Sequence, residues 1–359
     1  MRLGKRILVM GMSEGRLTEY RFSFGPWNIH EGADSFGPPV REPYSFEEKL
    51  EFYKKLGFDG IQLHDDDAVP KLNELTRNQI IEEARKLGRM LNQYGLVTEF
   101  VAPRLWEDPR TVDGAFTSNN PENRKYALKR ALIAIDIARE LGTDKIVLWL
   151  AREGTYIREA KNPTVAVGQI VDAINRMLEY DKSIKILIEP KPNEPMDQAY
   201  IPTVGHAIAL SYKTIDPSRV GVLIESAHCI LAGLDPADEM GYALYHGKLW
   251  SVHLNDQNGL KFDEDKSFAS TNLRRAFDQV RVLEEGGYGR NGEFVGFDVK
   301  AMRTQRKEDS IKHLYNSRKL FLYLVEKVRT LDREKEREFI KARDYEGLDL
   351  FILEHLINV

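Results

Sequence analysis

Eight short apolar runs recur along this chain, each separated from the next by enough residues for a helix. No other feature limits the fold as strongly. They are FSF (22–24), GIQL (60–63), VTEFVA (97–102), KIVLWL (145–150), KILIE (185–189), VGVLIE (220–225), LWSVHL (249–254) and FVGFDV (294–299). Most are rich in Val, Ile, Leu and Phe without clean alternation, the pattern of parallel strands covered on their outer side. The intervals read as helices. In PENRKYALKRALIAIDIARELG, Leu128, Leu132, Ile135, Ala138 and Leu141 fall at three- and four-residue steps, which places them on one helical face. Pro121 suits the helix start and Gly142 its C-terminal cap. Eight such units predict an α/β fold, a (β/α)8 TIM barrel, with a doubly wound open sheet as the alternative.

The 359 residues exceed what the barrel needs. The barrel is assigned to residues 1–301, and the pattern changes over 302–359. SIKHLYNSRKLFLYLVEKV reads as a helix, and LDREKEREFIKARDYEGLDLFILEHLINV is very charged and then apolar. Phe351, Ile352, Leu356 and Ile357 need a surface to bury against. The tail is therefore read as a C-terminal helical arm reaching a neighbouring subunit, with one more packed helix as the plainer alternative. A net charge of only −4 with 30% charged residues argues against a nucleic-acid partner. A single cysteine, Cys229, excludes an intramolecular disulfide and suits a reducing cytoplasm. The start, MRLGKRILVMGM, lacks the long apolar region and small-residue site of a secretory signal. Nothing approaches a membrane-spanning length, so no membrane partner is expected.

Polar groups close almost every candidate strand, where barrel chemistry sits. The ends read His64-Asp65-Asp66-Asp67, Trp149, Glu189-x-Lys191-x-x-Glu194, Glu225-x-x-His228, His253-x-Asn255 and Asp298-x-Lys300, and a loop adds Asp263-x-Asp265. A few capping Asp or Asn residues would be ordinary, but an acid or histidine nearly every time is not. Carboxylates gathered in one space raise one another's pKa or need cations. Glu189, Glu225, His228, His253, Asp263, Asp265 and Asp298 form a mostly oxygen set with two imidazoles. That set fits two divalent ions, Mn²⁺, Co²⁺ or Mg²⁺, better than zinc alone. No G-x-G-x-x-G follows a strand, so no nucleotide cofactor is expected. His206 and His246 lie on helix-like stretches and read as structural, Trp250 as core, and Asp65 and Asp66 as loop caps. Cys229 reads as inert.

RFSFGPW (21–27), DSFG (34–37), LHDDDAVP (63–70), DGAFTSNNPENRKYAL (113–128), LWLAREG (148–154), IEPKPNEP (188–195), PTVGHA (202–207) and KFDEDKSF (261–268) follow one another in order. In that order they resemble the actinobacterial-type (class I) xylose isomerases over nearly the whole chain. The resemblance implies a homotetrameric (or dimeric) barrel that interconverts aldoses and ketoses with two divalent metals, acting on a free sugar. It implies that Glu189, Glu225 and Asp298 hold the substrate-binding metal. It likewise implies that His228, Asp263 and Asp265 hold the catalytic one, with Glu225 bridging. His64, oriented by Asp67, resembles the ring-opening group, and Lys191 the donor to the open-chain carbonyl. Trp27 and Trp149 resemble the apolar walls, and Phe36 the aromatic lent to a neighbouring site. Glu194 is read as holding Lys191 or a subunit contact.

The departures lie mostly in the wall. His253 stands where the family places an aspartate ligand, in Ser251-Val252-His253-Leu254-Asn255. Leu150 and Ala151 replace two glycines, Leu223 stands in a segment that loses an Asn, and a pocket phenylalanine becomes Trp106 behind Ala102, Pro103 and Arg104. These changes predict a more apolar pocket and put xylose itself in question. The rivals are a sugar epimerase on the same barrel working by proton transfer, a zinc endonuclease barrel, and a non-catalytic sugar-binding barrel.

Overall fold

In a computed structural model, which describes residues 19–357, all eight runs form one closed parallel barrel. The opening segment read for a secretory signal lies outside the described residues. The strands are Arg21–Phe24, Gly60–His64, Val97–Ala102, Lys145–Trp149, Lys185–Glu189, Val220–Glu225, Leu249–Leu254 and Phe294–Phe297. Each pairs with its sequence neighbours, and the ring closes where Phe22 lies beside Val295 and Phe24 beside Phe297. Helices cover the outside. In Pro121–Glu140 the proline sits in the first turn, and the Asn120 side chain accepts from the Glu122 N–H. Gly142 takes the left-handed conformation just past its end, at φ +77°, which a residue with a Cβ adopts only with strain.

Phe100, Ala102, Val147, Leu187 and Leu223 fill the barrel interior, and Trp27 and Trp250 pack against them. Trp250, read as core, is half-buried. A Cβ on Gly221 would stand 2.5 Å from its ring, so glycine is required for the indole to lie across the barrel. One element escaped the sequence reading. Gly154–Thr155 pairs antiparallel with Gln198–Ala199, joining the loops that follow two adjacent strands.

Beyond the barrel, helix Lys312–Thr330 buries Leu314, Phe321 and Val325, and Phe321 meets the Phe22 ring edge-on at 5.7 Å. Helices Arg333–Ala342 and Tyr345–Ile357 pack on one another, with Phe339 and Phe351 rings 5.7 Å apart. Ile352 and Leu356 are buried within this chain, Phe351 is partly buried and Ile357 is 72% exposed. Among the described residues no helix is long and apolar enough to cross a membrane.

Candidate metal centre and active site

Barrel closure brings the strand ends to one place. Glu225 and His253 are register partners on adjacent strands, as are Trp149 and Glu189. His253 Nδ1 lies 3.5 Å from Glu189 Oε1, 3.7 Å from Glu225 Oε2 and 3.8 Å from Asp298 Oδ2. The short helix Ser226–Leu231 begins directly after its strand and turns His228 back over the same floor. His228 Nε2 lies 3.2 Å from Glu225 Oε1 and 3.1 Å from Asp263 Oδ2. Two groups able to hold a cation result, Glu189–Glu225–His253 and Glu225–His228–Asp263, and they share Glu225. Asp265, at φ +46°, is gripped by Lys300 at 2.8 Å. Asn255 lies behind the ligands. It donates to Glu225 Oε1 at 2.9 Å and accepts the Ala227 N–H at 2.8 Å.

The electrostatics follow from packing these acids together. Burial, then repulsion from Asp263, pushes the carboxyls of Glu225 and Asp265 well above the usual carboxylate range. Burial also raises Asp298, despite the nearby His253. Burial pushes Glu189 up as well, but the imidazoles of His253 and His228 outweigh it and hold it low. In the same way Lys191 and His228 outweigh burial at Asp263. The buried atoms His228 Nδ1, His253 Nδ1 and Asp263 Oδ1 have no hydrogen-bond partner. Burial would lower His253, but Glu189, Glu225 and Asp298, which its Nδ1 faces, outweigh it and push the imidazole well above its ordinary range. This unpartnered nitrogen marks a place where positive charge, a proton or a metal ion, is needed, so the donor set fits a metal centre.

Above these ligands opens a cavity of about 520 Å³, lined by Trp27, His64, Trp106, Trp149, Lys191, Glu194 and the ligand residues. The aromatic wall is continuous. Trp27 lies 4.2 Å from His64, His64 5.2 Å from Trp106, and Trp106 4.6 Å from Trp149, between ring centroids. Trp27 Nε1 donates to Asp298 at 3.0 Å. Lys191 Nζ reaches Asp263 at 2.9 Å and Glu194 at 3.2 Å, so Glu194 does hold the lysine. Burial alone would weaken the ammonium, but Asp263 and Glu194 outweigh it and keep Lys191 protonated well above its ordinary range.

His64 Nδ1 lies 2.9 Å from Asp67 Oδ2, the pairing expected. Burial pushes Asp67 up, but His64 and Arg104 outweigh it and hold it at about 2. Arg104 was noted only as a departure. Its Nη2 stands 2.8 Å from the same His64 nitrogen and 3.2 Å from Asp67. Asp65 is more than a loop cap: it is fully buried and clasped by Arg130 at 2.7 and 2.8 Å. Phe36 is 90% exposed and does not line its own cavity, whereas Ser35 does. The expected apolar wall needs correction. Leu150, Ala151 and Leu223 do not line the cavity, while Arg104, Arg152 and Lys300 do. Leu223 lies deeper, in the barrel interior. Strand composition alone could not distinguish these depths.

Residues 50–288 match the family model described as xylose isomerase-like TIM barrel. The chain is 34% identical over 333 residues to a xylose isomerase of Thermus thermophilus, covering 91% of this chain and 84% of that one. In fold it is similar to a D-tagatose 3-epimerase-like protein (TM-score 0.63, 18% identity, covering 86% of this chain and 99% of the other). It is similar likewise to an L-ribulose 3-epimerase (TM-score 0.62, 15% identity, 90% and 99%). With the closed barrel and these matches in place, the chain belongs to the xylose isomerase-like TIM barrel family.

Proposed function

We propose that this protein is a metal-dependent aldose–ketose isomerase of the class I xylose isomerase type, acting on a free pentose, hexose or deoxyhexose by ring opening and a 1,2-hydride shift. The observation that carries the reading is Glu225, shared by two ligand groups on the floor of the cavity that Lys191 and His64 also face. In this reading Glu189, Glu225, His253 and Asp298 would hold one divalent ion, and Glu225, His228, Asp263 and Asp265 a second. Mn²⁺, Co²⁺ or Mg²⁺ there would supply Lewis acidity and lower the pKa of bound water.

The chain's own residues do the rest. His64, held by Asp67 and pressed between Trp27 and Trp106, exchanges a proton with the ring oxygens of the sugar as the ring opens. Lys191 donates to the carbonyl oxygen, where negative charge grows during hydrogen transfer. Pro190 and Pro192 on either side of it restrict the backbone, so little freedom is lost on docking. Trp27 and Trp149 exclude water from the migrating hydrogen. A homotetramer or dimer, with residues 302–359 reaching a neighbour and Phe36 projecting into another site, belongs to the same proposal. Phe36's exposure supports it.

A second reading, an epimerase working through an enediolate, rests on His253 in place of an acidic ligand. One experiment separates the two. The protein is stripped of metal, reloaded with Mn²⁺, Co²⁺ or Mg²⁺, and offered pentoses, hexoses and 6-deoxyhexoses deuterated at C2. Metal-dependent ketose formation with the deuterium retained is expected. Loss of the label to water would move the assignment to the epimerase. No conversion of any sugar by metal-loaded protein would overturn both.

A further inference from the structure

Beneath the ligand floor His253 joins a polar cluster whose other members the chemistry above does not use. Barrel interiors are normally packed with branched apolar side chains. Here Ser23, Gln62, Glu99, Ser251 and His253 meet from four strands, each no more than 2% exposed. A buried carboxyl such as Glu99 is costly unless its hydrogen bonds are met. Here both oxygens have donors. Glu99 Oε2 accepts from Ser23 Oγ and, at 3.1 Å, from Gln62 Nε2. Glu99 Oε1 accepts from Ser251 Oγ at 2.7 Å. Gln62 Nε2 also donates to Ser23 Oγ at 3.1 Å.

This cluster has a polarity. A carboxylate only accepts, so the Gln62 amide turns its NH₂ toward Glu99 and its carbonyl the other way. That carbonyl oxygen lies 3.0 Å from His253 Nε2. The imidazole can satisfy it only by donating, which fixes the proton on Nε2. In the neutral ring, the form that can bind a metal, the lone pair is then left on Nδ1, the orphaned atom that faces Glu189, Glu225 and Asp298. Gly296 completes the arrangement. A Cβ there would stand 2.5 Å from Gln62 Nε2 and 3.3 Å from His253 Cδ2, so only glycine lets the two side chains meet.

We propose that Glu99 and Gln62 are positioning residues of the metal centre, locking His253 in the tautomer whose Nδ1 binds the ion. The inference rests on the metal-centre reading above and explains how a neutral imidazole can serve where the class I xylose isomerases that the sequence resembles place an aspartate. A partner that holds a ligand's free nitrogen sets its orientation, and losing such a partner typically weakens metal binding about 10- to 100-fold.

The test is Glu99→Gln, which has the same shape. Its amide can donate to the Gln62 carbonyl, letting Gln62 turn and offer N–H to His253, so that the proton moves to Nδ1. Metal-free protein is titrated with Co²⁺ against a chelating dye, and the imidazoles around bound cobalt are counted by X-ray absorption. One of the two binding steps should weaken about 10- to 100-fold, with a lower imidazole count, while the other step is unchanged. Gln62→Met, which fills the space without an acceptor, should do the same. Ser251→Ala, which leaves the Gln62 orientation intact, should not. Folded Glu99→Gln and Gln62→Met proteins with both wild-type binding steps would overturn the inference alone. Wild-type protein that binds no Co²⁺ would overturn the metal centre and this inference with it.

Discussion

At Lys191 one ammonium answers to two acids and a ring. It lies 2.9 Å from Asp263, 3.2 Å from Glu194 and 5.3 Å from the Trp149 ring centroid. These neighbours keep it charged and fixed, which a donor to a developing oxyanion needs. Lys191→Met keeps most of the stem and removes the charge. Turnover of the sugar found in the panel should fall at least ~100-fold, while cobalt titration still shows two steps; undiminished turnover would remove Lys191 from its assigned role. Most acids and histidines of this site were legible in the sequence because they close or directly follow an apolar run, and Asp263 and Asp265 because they alternate in one loop. Gln62 and Glu99 were not, although each is a polar residue inside a run, GIQL and VTEFVA. That interruption was the available signal, since a fully buried strand rarely carries such a group without a partner. The contacts of Arg104 were beyond reach, because they depend on its loop folding against the turn that carries His64, Asp66 and Asp67.

Among the elements, helix Lys312–Thr330 is tied to the site through His313. His313 Nε2 donates to the Asn28 carbonyl at 2.9 Å. The Asn28 side chain in turn accepts the Val299 N–H at 2.8 Å and donates to Asp298 at 3.3 Å. Burial pushes the His313 imidazole down to about 4, so the folded protein favours its neutral form. A depressed histidine contributes stability that is present above its unfolded pKa of about 6.5 and lost as pH falls toward the folded value. Relative to His313→Gln, which cannot titrate, the wild type should lose roughly 2–3 kcal/mol between pH 7 and pH 4.5. Urea unfolding of the two proteins at both pH values measures it. A difference that stays constant with pH would show that the histidine is not buried neutral. At this scale the eight strands were readable from apolar content alone. The Gly154–Thr155 and Gln198–Ala199 pairing was not, because two residues carry no periodicity.

For the whole molecule, a resident ion is also a folding ligand. Anything that binds only the native state adds RT ln(1 + [L]/Kd), about 2.7 kcal/mol at a hundredfold excess over Kd. A chelator should therefore lower the thermal midpoint by several degrees, and added Mn²⁺ or Co²⁺ should restore it. A midpoint indifferent to both would mean that no ion belongs to the native protein.

The barrel also divides the labour of the site between its two arcs. Of the proposed ligands, all but Asp298 come from residues 189–265, whereas Trp27, His64, Arg104, Trp106 and Trp149 come from 27–149. The arcs meet at the seam, where Trp27 donates to Asp298. On the proposed reading, most of ion capture and most of the aromatic wall are thus written in separate stretches of the gene, with Lys191 facing the cavity from the ligand stretch. Mutational drift in one stretch can retune what is recognised while the machinery in the other stays in register, which is how a barrel of this kind can change its diet without losing its trade.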